Sequence, residues 1–261
     1  MALATLPEPD LRDEDEKDDD EQDASRMSFL EHLDELRRRL TYSIVALLVG
    51  FLIALGLIQP IFDFVMRPMR DLLPPGSGLM YNEPTEAFML QLKMAALAGL
   101  ILAMPICLWQ AWRFVAPGLY ANEKRIAIPF VVLATAFFTL GVIFSHYVLF
   151  PVTWKFFASF ASDYLEFLPR IEPAFSLYLK LALAMGAVFQ VPTIVYFLTR
   201  MRMITPRWMW RNVKYAILVS FILGAVLTPS ADPVSQTLMS LPTIGLYLIS
   251  IGIAWAFQPR S

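Results

Sequence analysis

The chain has 261 residues, of which 57% are hydrophobic, and its mean hydropathy is +0.55. Soluble domains are usually about 45–50% apolar, and here the excess lies in nearly uncharged blocks of roughly 17–25 residues, which is enough to cross a hydrocarbon core of about 30 Å. This composition excludes a soluble globular protein and predicts an all-α integral membrane protein.

The net charge of −2 hides an acidic N-terminal tail. Residues 1–25 hold eleven acidic and two basic residues, so this stretch carries −9 and the rest of the chain +7. It has no aromatic residue and cannot bury enough apolar surface to fold alone, so we predict that residues 1–27 are a disordered cytoplasmic tail. A solubilising extension is favoured over an arm that binds a basic partner.

An amphipathic surface helix is predicted over residues 28–39. Ser28 and Glu31 fit a capping box, and apolar residues then recur at three- to four-residue spacing. This helix should run directly into the first membrane span, at about 40–58. Its charges predict two i,i+4 ion pairs, Asp34 with Arg38 and Glu35 with Arg39.

Five further spans follow in the chain. They are predicted at about 88–108, 126–150, 175–198, 215–227 and 237–257. Residues 59–87 contain several prolines and glycines and are predicted to be too broken to cross the membrane. The fifth span would be only about 20 Å long, and it joins the sixth by a short connection. These two form either a re-entrant pair or two short spans that thin the bilayer locally.

Basic residues decide between these alternatives and orient the chain. One set of loops holds thirteen Lys and Arg residues and the alternate set holds four. The positive-inside rule therefore places both termini in the cytoplasm and requires an even number of spans. We predict six spans within a membrane domain of residues 28–257, followed by a short cytoplasmic C-terminus of residues 258–261.

Charged residues and prolines inside the spans have structural consequences. Lys93 and Lys180 lie near the outer ends of their spans, where a lysine can extend its ammonium group to the interface. Prolines in or near the spans favour kinks, so we expect a curved, cupped bundle. These prolines are Pro105, Pro129, Pro192 and Pro242.

Three stretches resemble the TatC family, a subunit of the twin-arginine (Tat) protein translocase. Residues 32–40, HLDELRRRL, look like the family's N-terminal HLxELRxRL motif. Residues 109–125 resemble its first cytoplasmic loop and residues 227–236 its last external loop. The resemblance runs from about residue 28 to residue 257 and leaves the acidic tail outside.

This resemblance implies a receptor in the bacterial inner membrane, with no catalytic residue and no cofactor. Proteins of this family bind the twin-arginine signal peptides of folded cargo proteins at the cytoplasmic face. They recruit the single-span partners TatA and TatB and associate with themselves in the receptor complex. Transport draws on the proton-motive force, and no nucleic acid is involved.

The residues expected to contact the signal peptide follow from the same motifs. Adjacent arginines are held well by carboxylates, through charge-assisted and often bidentate hydrogen bonds. By resemblance Glu123 is the primary contact and Glu35 the second, although Glu123 could instead pair with a neighbouring cation and Glu35 with Arg39. The motif positions that would shape the site are Leu36, Arg37, Phe114, Pro117, Leu119 and Tyr120.

A further group is expected to act in structure or partner contact. It comprises Pro68, Phe88, Gln190, Asp232 and Gln236. Some family members have glutamate where this chain has Gln190, and glutamine cannot carry a charge or a proton. We expect Gln190 to face a concave polar pocket and contact a partner helix.

Two other function classes are less well supported. A small secondary transporter would show internal repeats and midplane charges, and neither is evident. A membrane hydrolase would need a nucleophile with a base or a metal within reach, but the single Cys107 and the separated His32 and His146 suggest no such set and no metal site.

Overall fold

The computed structural model describes residues 11–73, 78–115, 127–162, 167–227 and 233–258, with side chains except those of 11–30, 115 and 127. Ten helices lie in these ranges. They are α1 (Leu11–Gly56), α2 (Ile58–Arg70), α3 (Pro84–Val115), α4 (Ala127–Phe144), α5 (Phe150–Ala158), α6 (Ile171–Val188), α7 (Val191–Arg200), α8 (Pro206–Arg211), α9 (Val213–Leu227) and α10 (Pro233–Phe257).

Six apolar helical segments account for the six predicted spans. Five are long enough and apolar enough to cross a membrane, and the sixth is the shorter helix α9. The five are Glu31–Gly56, Pro84–Phe114, Ile128–Ala158, Ile171–Arg200 and Pro233–Phe257. The predicted all-α membrane fold is therefore confirmed.

We call the end of the bundle that holds residues 31–40 and the end of α3 the near face, and the opposite end, which holds α2, the far face.

The first helix is longer than the sequence predicts. Its backbone is helical from Leu11, whereas composition predicts disorder up to residue 27. Glu, Lys, Gln and Arg in this stretch favour helix without any packing, whereas its six aspartates favour it less. The division of the chain into a tail and a membrane domain at this point stays a prediction.

Helix α2 lies largely within residues 59–87, the segment predicted to be too broken to cross the membrane, and it is not among the candidate spans of the described residues. Pro60 lies in the first turn, where its missing amide N–H costs no hydrogen bond, and Pro68 lies near the last turn. Val65 and Met69 are four residues apart and both are buried. The helix therefore packs one apolar face on the bundle at the far face.

Two spans are interrupted. Between α4 and α5 the chain makes a π-helical turn at Ser145–Leu149, and the helix continues to Ala158 beyond the predicted end at residue 150. Between α6 and α7 the helix breaks at Phe189 and Gln190, just before Pro192, as the proline predicts. Prolines also lie inside α3 and α10, at positions that favour kinks.

The last two helices differ in length. Helix α9 has 15 residues, close to the short span predicted, whereas α10 has 25 and begins four residues earlier than predicted. Pro233 is the first residue of α10, a position that favours proline. The two helices pack closely, since a Cβ on Gly224 would lie 2.8 Å from the Gln236 carbonyl oxygen.

The main core lies toward the far face, between α2, α3, α5 and α6. Its largest fully buried side chains include Tyr178, Phe150 and Phe175. The backbone also closes here, because the Ile171 N–H donates to the Met80 carbonyl oxygen at 2.8 Å and the Met80 N–H to that of Pro169 at 3.2 Å. These contacts fix the start of α6 against the segment before α3.

Candidate functional site

A close crossing of α1 and α3 positions the near-face site. A Cβ on Gly50 would lie 2.5 Å from the Gly99 carbonyl oxygen, and one on Gly99 would lie 2.6 Å from the Phe51 nitrogen. Only glycines allow the two backbones to approach so closely, as in other membrane helix pairs. The crossing sets the height of the N-terminal motif of α1 relative to the C-terminal end of α3.

Glu35 is already in an ion pair. The Arg39 Nη2 atom donates to Glu35 Oε1 at 2.9 Å, and the two side chains are 17% and 28% exposed for arginine and glutamate, respectively. The Arg39 Nε atom is buried without a hydrogen-bond partner among the described residues. This confirms the predicted i,i+4 pair, and Glu35 Oε1 is engaged with the chain's own arginine.

The second predicted pair on α1 does not form. Within the described residues Asp34 has no cation within ion-pair distance, and the Arg38 guanidinium lies over the Tyr42 ring, 5.8 Å from its centroid. A guanidinium stacks well on an aromatic face, and Tyr42 is the i+4 neighbour on the other side of Arg38. Asp34 is therefore an exposed carboxylate on the near face.

The end of α3 contacts the motif on α1 through an aromatic pair. The rings of His32 and Phe114 stack with their centroids 4.5 Å apart. Phe114 is half-buried, and Leu36 and Arg37 further along α1 are exposed. The structure thus places Phe114 against α1, the helix that carries Glu35, Leu36 and Arg37, and the contact is made through His32.

An aromatic cluster joins the end of α3 to the start of α4 and to α7. Trp112, just before that segment, is buried, and its ring lies 4.7 Å from Phe130 and 4.9 Å from Phe197. Phe130 belongs to the first turn of α4 and Phe197 to α7. The end of α3 is therefore packed against the start of α4 and against α7, two residues before Phe114.

Four predicted site residues lie outside the described residues. They are Pro117, Leu119, Tyr120 and Glu123. Their predicted roles are neither confirmed nor contradicted. Glu123 is four residues before Ala127 along the chain, where α4 begins.

The other predicted residues are scattered. Gln190 donates from Nε2 to the Ala134 carbonyl oxygen at 3.0 Å, across the interface with α4. Gln236 donates from Nε2 to the Phe221 carbonyl oxygen at 2.9 Å, across α9 and α10. Pro68 is half-buried inside α2 and Phe88 is 60% exposed on α3. Asp232 lies outside the described residues.

Ion pairs on the far face link the starts of α3 and α6. Lys93 Nζ lies 3.4 Å from Glu172 Oε1, and Arg170 Nη2 lies 2.9 Å from Glu86 Oε1. Lys93 therefore has a carboxylate partner in the chain. The sequence predicted only that its ammonium group extends to the interface. The described residues include no group of three His, Cys, Asp or Glu side chains that could hold a metal ion.

The chain matches proteins of one known family along most of its length. The family model for the Sec-independent protein translocase protein TatC matches residues 31–242. The chain belongs to the TatC family. It is thus a TatC subunit of a Sec-independent protein translocase, a component of membrane transport and not of a known enzyme class.

Individual relatives agree with this TatC assignment. The chain is 38% identical over 238 residues to a TatC from Koribacter versatilis (strain Ellin345), covering 90% of this chain and 88% of that protein. It is 39% identical over 228 residues to TatC from Helicobacter pylori (strain ATCC 700392 / 26695), covering 87% of each.

Solved structures share the TatC fold. A crystal structure of the twin arginine translocase receptor TatC superposes with a TM-score of 0.75 at 34% identity, covering 86% of this chain and 98% of that one. A second crystal structure of the TatC receptor, in DDM, gives 0.77 at 34% identity, covering 85% and 99%.

Proposed function

We propose that this chain is the TatC receptor that binds twin-arginine signal peptides of folded proteins at its near face. That face would be the cytoplasmic side of the bacterial inner membrane, with both termini inside, as the thirteen basic residues against four suggest. The observation that carries the proposal is the packing of Phe114 on the Glu35 motif. Phe114 lies nine residues before Glu123 in the sequence, and its partner His32 lies three residues before Glu35 on α1.

The chemistry of the site suits two adjacent arginines. Each guanidinium offers planar, paired N–H donors that match a carboxylate. Glu35 uses Oε1 for Arg39, and a carboxylate can accept several hydrogen bonds, so Oε2 is available to a peptide arginine. Glu123 is proposed as the primary contact because residues 109–125 resemble the first cytoplasmic loop of the family. Leu36, Arg37, Pro117, Leu119 and Tyr120 would shape the surrounding surface.

Binding of two peptides tests this proposal. A signal peptide with Arg-Arg is titrated against its Lys-Lys analogue on the protein in nanodiscs. We expect Arg-Arg to bind more tightly by roughly tenfold, since a bidentate charged hydrogen bond contributes about 1.5–3 kcal/mol. Glu123→Gln should remove most of that preference and Glu35→Gln part of it.

The matched control is Glu31→Gln, which neutralises an exposed carboxylate one turn from Glu35 on the same helix. It should leave the preference for Arg-Arg intact. Equal binding of the two peptides would contradict the receptor mechanism. An equal effect of all three substitutions would indicate general electrostatic attraction to the near face.

The remaining proposals concern the assembly. TatA and TatB would be recruited as single-span partners, copies of the chain would associate in the receptor complex, and export would draw on the proton-motive force. Phe88 is exposed on α3 and available for such a contact. Gln190 and Gln236 have partners within the chain, so a partner helix would have to compete with these hydrogen bonds. Pro68 and Asp232 stay proposed structural or partner residues.

A further inference from the structure

An open groove lies on the near face between α8 and the end of α10. It has a volume of about 590 Å³ and is lined by Pro206, Arg207, Trp210, Arg211, Ile251 and Trp255. It is separate from the His32–Phe114 contact, because all of its lining residues belong to α8 and α10. None of its lining residues was predicted to have a role.

The groove is a formed surface because α8 is fixed underneath. Met209 is buried in an apolar cluster with Val195, Ile251 and Ala254. The Tyr247 hydroxyl donates to the Met209 carbonyl oxygen at 3.0 Å, which joins α10 to α8. Thr205 caps the helix by accepting from the Trp208 N–H at 3.3 Å. These contacts hold one side of α8 against the bundle and leave the other side open.

The open side of α8 combines positive charge with aromatic surface. Arg207, Trp210 and Arg211 are spaced i, i+3 and i+4, so they share one face of the helix. Among the residues that the structure describes, neither Arg207 nor Arg211 has a carboxylate within 4.0 Å. Trp210 is 66% exposed and Trp255 is 70% exposed. The wall of the groove is apolar, and Arg207 and Arg211 line it with their carbon atoms, so their guanidinium groups belong to the surface around the groove.

Its position is that of a membrane interface. Helix α8 joins the end of α7 to the start of α9, and Trp255 lies two residues before the end of α10. Tryptophan is enriched at the level of the lipid head groups, and arginines at this depth meet the phosphates of the leaflet. A single lipid can contact both parts of this surface, with its phosphate on the arginines and its acyl chain on the tryptophans.

We propose that this groove binds an anionic phospholipid of the near-face leaflet. The phosphate accepts hydrogen bonds from Arg207 and Arg211, and guanidinium groups match phosphate oxygens in pairs. The first part of one acyl chain packs on Trp210, Ile251 and Trp255. The charge of the groove selects phosphatidylglycerol over a zwitterionic lipid such as phosphatidylcholine. This inference requires only the membrane fold and does not depend on signal-peptide binding.

Native mass spectrometry of the purified full chain tests the proposal, with phosphatidylglycerol or phosphatidylcholine added to detergent-solubilised protein. We expect one tightly bound phosphatidylglycerol that the double variant Arg207→Gln/Arg211→Gln loses. Each arginine near an anionic lipid contributes roughly a fivefold change in affinity, so the loss should be on the order of tenfold to thirtyfold. Weak binding of phosphatidylcholine should not change.

The matched control is Arg67→Gln/Arg70→Gln, which removes the same charge from α2 on the far face. It should keep the bound phosphatidylglycerol. Trp255→Ala, which leaves both charges, should also weaken phosphatidylglycerol binding, and unchanged thermal unfolding would show that each variant is folded.

Three outcomes would overturn the proposal. An equal loss in both double variants would mean that total charge and not the groove attracts the lipid. Unchanged binding in the groove variant would place the lipid elsewhere. A halved particle mass of the groove variant on gel filtration would mean that a second copy of this chain occupies the groove.

Discussion

The Glu35 carboxylate has two roles: it pairs with Arg39 on α1, and it is proposed to bind an arginine of the signal peptide. Both side chains are less than a third exposed, so the pair is shielded from water more than a typical surface pair. Arg39 has a buried Nε atom without a partner among the described residues. Its charge therefore depends on Glu35, and a peptide arginine must share Glu35 without displacing Arg39.

Neutralising Glu35 should lower stability as well as binding. Glu35→Gln leaves the half-buried Arg39 charge without a counter-ion, and we expect the free energy of unfolding to fall by about 0.5–1 kcal/mol. Thermal unfolding in detergent at low salt measures this. Asp34→Asn is the control, because Asp34 is exposed and without an ion pair among the described residues. A loss of stability as large in Asp34→Asn would show that general helix charge is responsible.

At the residue scale, local spacing predicted what lies on one helix and nothing across helices. The i,i+4 rule found the Glu35–Arg39 pair but could not show that Arg38 would prefer the Tyr42 ring over Asp34. The His32–Phe114 contact joins residues distant in sequence, and no periodicity encodes it. A motif resemblance at both positions was the available signal.

Among the elements, α1 and α3 depend most visibly on two small residues. Their backbones meet at Gly50 and Gly99, where an added Cβ would contact main-chain atoms that cannot rotate away. Since α1 carries the Glu35 motif and α3 carries Phe114, this crossing determines whether the two parts of the near-face site meet. The site is therefore sensitive to a position far from its own residues.

Gly99→Ala should disrupt this crossing. The new Cβ would lie 2.6 Å from the Phe51 nitrogen, and overpacking of this kind costs about 1–3 kcal/mol, which outweighs the gain in helix propensity of about 1 kcal/mol. We expect a lower unfolding temperature in detergent. We also expect weaker cross-linking between cysteines introduced at His32 and Phe114 in a Cys107→Ser background.

Gly252→Ala on α10 is the matched control, because a Cβ there would meet nothing within 4 Å. It should unfold at the same temperature as the unsubstituted chain or slightly higher. A Gly99→Ala protein that keeps both its unfolding temperature and its cross-link would mean that the helices do not rely on this contact.

Two elements, α2 and the π-helical turn, were not predicted from the sequence, each for its own physical reason. The prolines and glycines of residues 59–87 predict only that the segment does not cross the membrane, and helix α2 was not predicted, although proline is tolerated in the first turn of a helix. The π-helical turn at Ser145–Leu149 also escaped, because it has no composition signal. Its buried His146 bonds to the Tyr178 hydroxyl at 3.0 Å, a contact set by tertiary packing.

At the scale of the whole molecule, the six spans were predictable because each must satisfy its backbone hydrogen bonds inside the hydrocarbon. This requirement produces long uncharged blocks that stand out in any sequence. Helix ends were harder, as α10 shows, because capping and loop packing decide them. The orientation in the membrane depends on charges in the loops and stays a prediction.

Cysteine labelling tests that orientation. Single cysteines replace Ser25, Ser159 or Ser261 in a Cys107→Ser background, and a membrane-impermeant maleimide is applied to cells with a permeabilised outer membrane. We expect labelling at position 159, which follows α5 at the far face, and at neither terminal position. Labelling of positions 25 and 261 but not 159 would mean that the chain has the opposite orientation to the one predicted.

The short helix α9 has a consequence for the electric field that acts on this protein. At 1.5 Å per residue its 15 residues span about 22 Å, compared with about 30 Å of ordinary hydrocarbon. Where lipids adjust to α9, the membrane voltage falls over that shorter distance, so the local field is steeper by roughly a third. Moving a charge still requires about 2.3 kcal/mol per 100 mV, but the force acts over a shorter path. For a given change of membrane voltage, the electric field beside α9 would therefore change more than the field beside the longer spans.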